Sequence, residues 1–285
     1  MQRFRIGAIT DEFSPDIRVA AASMASLGME ASELRMVFGK NIIDLTDEEI
    51  DEAVTIVRSQ SLPVISIASP LLKCTLPDAP DTDSRFQQDA FAAKHNFEDQ
   101  PRLTRRAFEI AHRTGARVIR VFTYWRTVDP DAVFDRVVEA LASLAALAAK
   151  EDLIIGLENE HACNIATAAE TRKVLDALNH PALQVVWDPA NAYVSGENPF
   201  PGGYSQLPTA RIVHVHAKDC RMEGHKPLWG PLGECDIDWR GQFDALAHDG
   251  YKGFINLETH WPGPGGDKHE ASMICGRNLK ALVQG

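Results

Sequence analysis

Short apolar runs alternate with longer amphipathic stretches along most of the chain. Eight of the apolar runs have the length and composition of β-strands, and each is followed by helical or loop material. Their near-continuous apolar character is typical of strands covered on both faces of a parallel sheet. The predicted strands span residues 4–10, 29–34, 63–68, 117–122, 153–158, 183–188, 212–217 and 254–258.

Helix-start signals fall between these strands. A proline at the first helical turn and a capping box both mark the residue at which a helix begins. The signals are Ser14-Pro15, Thr46 with Glu49, Asp129-Pro130 and Thr167 with Glu170; further helices are predicted over 101–114 and 270–283.

Eight evenly spaced strand–helix units predict an α/β fold, a (β/α)8 TIM barrel that forms a single domain over residues 1–285. Such a barrel takes about 250 residues. A doubly wound open sheet is the alternative, but it rarely has eight such units. The long aperiodic segments 70–97, 189–208, 219–237 and 259–269 each follow a strand. In a barrel these segments lie on the C-terminal face, where active sites are built.

Charge and cysteine content narrow the class of protein. The formal net charge of −11 argues against a nucleic-acid partner, because phosphate backbones select basic surfaces. The 5 cysteines are widely spaced without a CxxC pair, which argues against a disulfide framework or a structural zinc site. We find neither a signal peptide nor an apolar run long enough to span a bilayer, and therefore predict a cytoplasmic protein without membrane partners.

Four consecutive strands end in groups that bind metals. Glu158, Asp188, His216 and Glu258 each stand where an apolar run stops. The ends of neighbouring parallel strands share one rim of a barrel, so these side chains are predicted to converge on one divalent cation. Three carboxylates and an imidazole suit manganese or magnesium, and are compatible with cobalt or zinc.

The seventh strand offers a second imidazole, and either one is a candidate ligand. His214 and His216 share one side of the pleat because they are two residues apart. His216 lies nearer the rim and is assigned as the ligand. His214 lies one layer deeper, where we expect it to orient a carboxylate or to contribute to substrate binding.

The quartet of predicted ligands resembles the xylose isomerase-like barrel superfamily, in its sugar phosphate isomerase/epimerase branch. The segments ELR at 33–35, GKNIIDL at 39–45 and GECDID at 233–238 add to the resemblance, which covers nearly the whole chain. The branch includes ketose 3-epimerases and inosose-processing isomerases and dehydratases. The resemblance implies that Glu158 and Glu258 also act as an acid/base pair on opposite faces of the substrate.

The implied chemistry fits these residue types. A metal that chelates a carbonyl and an adjacent hydroxyl makes the neighbouring C–H bond more acidic. A carboxylate that removes this proton gives an enediolate, and returning the proton elsewhere yields an epimer or an isomer. The predicted function is therefore a metal-dependent isomerase or epimerase of carbohydrate metabolism, acting on a small sugar-like ketone.

Several residues are candidates for binding the substrate. Asn191 stands three residues after Asp188, where many epimerases of the branch carry histidine; asparagine can donate to a hydroxyl but cannot titrate. Arg221 is the nearest match to the branch's substrate-binding arginine. Lys218 is expected either to contact the substrate or to offset the excess negative charge of the site; the alternative is a solvated rim lysine. Trp125 lies in a rim loop, where aromatic rings commonly wall sugar sites.

Other functions stay open at this level. If hydroxide leaves from the enediolate, the same site is that of a lyase or dehydratase. An endonuclease IV-like nuclease would need further histidines at the ends of the third and fourth strands, which read ASP and FTYW. A non-catalytic sugar-binding protein would be expected to have lost at least one ligand. The resemblance also implies a homo-oligomer, either a dimer or a tetramer.

Overall fold

In the computed structural model, which describes residues 4–85 and 95–284, eight parallel strands close into a barrel. Each strand pairs with its neighbours in chain order, and β1 closes the barrel by pairing with both β2 and β8. The barrel strands are β1 (Arg5–Ile9), β2 (Ala31–Leu34), β3 (Val64–Leu71), β4 (Val118–Val121), β5 (Ile154–Glu158), β6 (Leu183–Trp187), β7 (Ile212–Ala217) and β8 (Phe254–Leu257). The predicted (β/α)8 fold is confirmed.

Helices lie between successive strands and cover the outside of the barrel. Their apolar faces pack against the outward-facing strand residues, as the βα repeat requires. The helices are α1 (Ile17–Ser26), α2 (Asp47–Ser59), α3 (Gln100–Thr114), α4 (Phe134–Lys150), α5 (Ala168–Ala177), α6 (Pro189–Val194), α7 (Trp239–His248) and α8 (Lys268–Gln284).

Both predicted capping boxes are present. Thr46 Oγ1 accepts from the Glu49 N–H, and the Glu49 carboxylate accepts from the Thr46 N–H at 2.9 Å. Thr167 and Glu170 make the same reciprocal pair at the start of α5. These contacts satisfy backbone N–H groups that the first turn of a helix otherwise leaves without partners.

Two local predictions were wrong. Helix α1 begins after Asp16 rather than at Ser14, because the Asp16 carboxylate caps the Arg18 N–H at 2.9 Å. The segment 219–237 is not an irregular loop in its first half, since Asp219–Glu223 and Lys226–Gly230 pair as an antiparallel hairpin. Helix α7 follows this segment and was not predicted.

The hairpin is anchored to the barrel by one carboxylate. Asp219 is buried and accepts hydrogen bonds from the backbone N–H groups of Gly233, Ile237 and two cysteines. The chain that follows β7 is thereby held against the C-terminal rim. None of the helices in the described part of the chain is long and apolar enough to cross a membrane.

The capping box of α2 should contribute measurably to the stability of the protein. Replacement of Thr46 by alanine removes the acceptor for the Glu49 N–H, and we expect it to lower the free energy of unfolding by about 1 kcal/mol. Urea denaturation measures this change. Thr55→Ala is the matched control, because the Thr55 hydroxyl only donates to the Asp51 carbonyl within the same helix. Equal stability of the two variants would contradict the assigned cap.

Candidate active site

Four buried polar side chains meet at the C-terminal rim of the barrel. Glu158 is the last residue of β5, Asp188 follows β6, His216 lies in β7 and Glu258 follows β8. All four residues are at most 4% exposed. One ligand atom from each lies within 4.8 Å of those of the others. The structure therefore brings together the four residues predicted as ligands.

The imidazole of His216 lies between carboxylates on two sides. Its Nδ1 is 3.0 Å from Glu158 Oε1 and 3.6 Å from Glu258 Oε2, whereas its Nε2 is 3.0 Å from Glu33 Oε2. Burial would lower the pKa of His216, but Glu33 and Glu158 raise it well above its usual range. The Nδ1 atom of His216 thus faces the other predicted ligands, while its Nε2 donates to Glu33.

Glu33 is a residue of the site whose role the sequence analysis did not identify. Its fully buried carboxylate also accepts hydrogen bonds from Asn256 Nδ2 and Ser66 Oγ, both at 2.9 Å. Burial would raise the pKa of Glu33, but His216 and His214 lower it well below its usual range. An ionised Glu33 fixes the ring orientation of His216, as carboxylates behind metal-binding histidines commonly do.

His214 lies below His216, as the alternation along β7 predicted. Its Nε2 is 3.6 Å from Glu33 Oε2, and its ring centroid is 5.1 Å from that of His216. Burial lowers the pKa of His214 to about 4, so its imidazole is neutral at pH 7. His214 therefore lies against Glu33, the carboxylate that orients His216, and not against the carboxylates of the predicted ligands.

Asp188 serves two purposes with its two oxygens. Oδ1 accepts a hydrogen bond from the Asn191 N–H at 2.8 Å and caps helix α6. Oδ2 points toward the other three predicted ligands and contacts Lys218. Asn159 holds the Asp188 backbone from both sides, through its Oδ1 and its Nδ2 at 2.8 Å each. Burial and the neighbouring glutamates raise the pKa of Asp188 to about 6 despite the opposing effect of Lys218.

Lys218 is buried among the four predicted ligands. The alternative interpretation, in which it is a lysine exposed to solvent at the rim, was therefore wrong. Its Nζ lies 2.8 Å from Asp188 Oδ2 and 2.8 Å from Glu258 Oε2, and the residue is 2% exposed. Burial would lower the pKa of Lys218, but Asp188 and Glu258 raise it well above its usual range. The ammonium neutralises two carboxylates that would otherwise repel each other.

Two arginines complete the charge balance of the rim, and the sequence analysis had not assigned either of them. Arg35 Nη1 donates to Glu258 Oε1 at 3.1 Å, and its Nη2 contacts Asp11 and Glu12. Arg120 Nη1 lies 3.3 Å from Glu158 Oε2. Both guanidinium groups are buried, so their positive charges offset part of the negative charge of the neighbouring carboxylates.

The donor set fits a divalent cation. Glu158 Oε2 and Asp188 Oδ2 are buried without a hydrogen-bond partner among the described residues, although Arg120 and Lys218 are near them. Buried carboxylate oxygens without such partners are costly unless a cation neutralises them. Three carboxylates and one imidazole can therefore hold a metal ion at this position.

The remaining predicted substrate-binding residues lie at different distances from the quartet. Asn191 is buried beside Asp188; its Oδ1 is 2.9 Å from His161 Nδ1, and its Nδ2 lacks a hydrogen-bond partner in the described chain. Trp125 is buried in the rim loop after β4 and packs with Phe122. Arg221 is exposed on the hairpin, where it donates to the Glu234 carbonyl at 3.1 Å.

A small cavity opens above these groups. Charged side chains from several strands line it: Arg35, Lys73, Arg120, Glu160, Glu258 and His260. Trp229 of the hairpin packs edge-on against His260 with 4.7 Å between ring centroids. The hairpin and the strand-end loops thereby enclose a polar space next to Glu258.

Comparisons with known proteins identify relatives of this barrel. The family model for the xylose isomerase-like TIM barrel matches residues 21–279. Inosose dehydratase of Lactiplantibacillus plantarum is 26% identical over 168 residues, which are 53% of this chain and 54% of that protein. The matched segment thus spans about half the length of this curated relative.

Two solved structures extend the comparison to nearly the whole chain. The IolI protein with a bound zinc atom has a TM-score of 0.74 at 13% identity, covering 99% of this chain and 98% of that one. D-allulose 3-epimerase from Methylomonas sp. with D-allulose has a TM-score of 0.69 at 19% identity, covering 100% and 98%. At these identities the likeness establishes the fold, and together with the family model it shows that the chain belongs to the xylose isomerase-like TIM barrel family.

Proposed function

We propose that this protein is a divalent-metal-dependent enzyme that isomerises or epimerises a sugar-like ketone, with Glu158 and Glu258 as its acid/base pair. The observation that carries the proposal is the convergence of three carboxylates and one imidazole from four consecutive strands at the rim of the barrel. Relatives that act on polyhydroxylated compounds, an inosose dehydratase and a D-allulose epimerase, support the substrate class.

Glu158, Asp188, His216 and Glu258 are the residues that would hold the metal, for which manganese or magnesium is the expected ion. When bound, a divalent ion polarises a substrate carbonyl and increases the acidity of the adjacent C–H bond. Glu33 contributes by fixing His216 with Nδ1 toward the other three ligands.

Glu258 is the better placed of the two glutamates to act as the base. It lines the cavity and is held by Arg35 and Lys218. Burial would raise the pKa of Glu258, but Lys218 and His260 lower it well below its usual range. The carboxylate is therefore ionised at neutral pH, although these contacts also weaken it as a base, so the substrate C–H bond must itself be acidified.

Lys218 competes with a metal ion for the same oxygens. Its Nζ stands between Asp188 and Glu258, which are two of the four proposed ligands. In the metal-loaded protein we expect the ammonium to turn from these carboxylates toward a substrate oxygen. This assigns Lys218 a role in substrate binding that begins only when the cation site is filled.

Dehydration is a second candidate function, favoured by the inosose dehydratase relative. It shares the first step, because removal of the proton beside the carbonyl precedes loss of a hydroxyl from the next carbon. The product distinguishes the two reactions: dehydration yields an unsaturated ketone, whereas isomerisation or epimerisation yields an isomer of the substrate.

The shared first step is tested by proton exchange. Wild-type protein loaded with Mn²⁺ should incorporate deuterium from deuterated water beside the carbonyl of at least one ketose, inosose or 3-keto sugar. The variants Glu158→Gln and Glu258→Gln should lower this rate at least about 100-fold, because each removes a charged ligand and a proton-transfer group. Proton NMR measures the exchange, and calorimetry measures Mn²⁺ affinity.

Glu151→Gln is the control for this experiment, since Glu151 lies at the exposed end of α4 beside His112. It should retain wild-type exchange. Full exchange in either of the two site variants, or none in wild-type protein on every compound tested, would refute the proposed mechanism.

Lys218→Met tests the competition between the ammonium and the cation. Breaking a buried ion pair costs about 3 to 5 kcal/mol, so the metal-free variant should unfold more easily than metal-free wild-type protein. Mn²⁺ should then stabilise the variant more than it stabilises wild-type protein, because the ion replaces the lost positive charge. Thermal unfolding with and without Mn²⁺ measures both effects. An unchanged or smaller metal-induced shift would show that Lys218 and the metal do not share a site.

A further inference from the structure

A second group of charged side chains faces the cavity from the side opposite Glu258. Lys73 follows β3 and Glu160 follows β5, whereas Glu258 follows β8. In the strand order of the closed barrel, β4 lies four positions from β8, and β3 and β5 are its two neighbours. Lys73, Glu160 and Glu258 all line the same cavity, so a substrate next to Glu258 also meets this second group.

The backbone that carries Lys73 is held in an unusual conformation. The preceding residue, Leu72, has φ of +60°, a left-handed value that leucine rarely adopts. Its N–H donates to Gln100 Oε1 at 2.8 Å, and its carbonyl accepts from the Tyr124 N–H at 2.7 Å. Strain of this kind persists only where the surrounding structure enforces it, and it concentrates at functional sites.

The Lys73 ammonium is buried among groups that favour its charged form. The residue is 6% exposed, and its Nζ lies 4.3 Å from the centroid of the Phe122 ring and 5.8 Å from that of Trp125. Glu160 Oε2 is 3.7 Å away. Aromatic faces and a carboxylate both attract a cation, so these contacts hold the ammonium at the cavity wall.

Glu160 is fixed as the counter-ion of this lysine. Its Oε1 lies 2.9 Å from His161 Nδ1 and accepts from the Ala162 N–H. The other oxygen of Glu160, Oε2, lies beside Lys73 and so keeps the ammonium on this side of the cavity.

The two proposed catalytic glutamates are not equivalent toward the cavity. Glu258 lines it, whereas Glu158 is not among the lining residues and is 1% exposed between His216 and Arg120. Lys73 is therefore better placed than Glu158 to donate a proton to the side of a substrate that faces away from Glu258.

We propose that Lys73 is a catalytic residue for elimination: its ammonium donates a proton to the substrate hydroxyl that departs as water, from the wall opposite Glu258. The inference rests on the proposed function in its dehydrating form and names the substrate class as a polyhydroxy ketone with a hydroxyl on the second carbon from the carbonyl. A departing hydroxide is far more basic than an amine, so proton transfer from the ammonium is favourable.

The reaction balances without an oxidant or reductant. Glu258 takes the proton from the carbon beside the carbonyl, and the electron pair of that C–H bond moves toward the carbonyl, which gives an enolate. When the carbonyl re-forms, this electron pair becomes the new C=C bond to the neighbouring carbon. The C–O bond of the neighbouring carbon breaks, its electron pair leaves with the oxygen, and the Lys73 proton converts this oxygen to water. Solvent then removes the proton from Glu258 and returns one to Lys73.

Lys73→Met tests the proposal, because it keeps an unbranched side chain that is one atom shorter and removes the donor. With Mn²⁺-loaded protein and an inosose in deuterated water, absorbance of the unsaturated ketone measures elimination and NMR measures deuterium uptake. We expect elimination to fall at least about 100-fold through kcat, with KM and the rate of deuterium uptake unchanged. Lys173→Met on the exposed face of α5 is the matched control and should match wild-type protein in both rates.

Other results would overturn the assignment. A higher KM with unchanged kcat would make Lys73 a binding group only, and equal losses of exchange and elimination would make it part of the first step. Wild-type protein that exchanges deuterium without releasing water would refute the role of Lys73 but leave the proposed function intact, whereas no exchange would refute both. If Lys73→Met does not fold, Lys73→Arg, which keeps the charge but displaces and weakens the donor, should show the same selective loss of elimination.

Discussion

Mutual repulsion of buried carboxylates is the constraint on which the rim of this barrel depends. Glu158, Asp188 and Glu258 each come from a different strand end and are almost completely removed from solvent. Like charges this close cannot all ionise in a low-dielectric interior unless cations compensate them. Lys218 and two arginines provide this compensation in the protein itself. Burial, with the nearby Glu258 and Glu158, still raises the pKa of Asp188 to about 6.

The strand ends of the quartet could be predicted because the barrel imposes their geometry. In a closed parallel sheet, residues at the C-terminal ends of neighbouring strands must meet at one rim, and an acidic residue that stops an apolar run marks that position. Alternation along β7 puts His214 and His216 on one face, and His216 was chosen as the rim histidine because it lies nearer the C-terminal end of the strand. Asp188 also shows that a helix cap and a site residue are not exclusive, since one oxygen serves each role.

Other parts of the site could not be predicted from one sequence. Glu33 and Arg120 lie inside short strands, where the sequence gives no sign that a charged side chain points into the barrel rather than out of it. Arg35 reaches Glu258 across 223 positions of the chain, a contact that depends on barrel closure between β1, β2 and β8. Arg221 illustrates the converse: it is the arginine that follows β7 most closely, but the hairpin carries it to the surface.

The separation of charges across the cavity links the fold to the choice of reaction. On the side of β7 and β8 lies Glu258, the proposed base, whose carboxylate contacts Lys218 and Arg35. On the side of β3 and β5 lies the ammonium of Lys73, beside Glu160 and the Phe122 ring. A site that moves a proton between two faces of one carbon needs two similar groups, as in an acid/base pair of glutamates. A site that takes a proton at one carbon and delivers another to an oxygen on the next needs two unlike groups. Glu258 lines the cavity and Glu158 does not. This asymmetry therefore bears on the fate of the proposed enediolate, which the four predicted ligands alone leave undetermined.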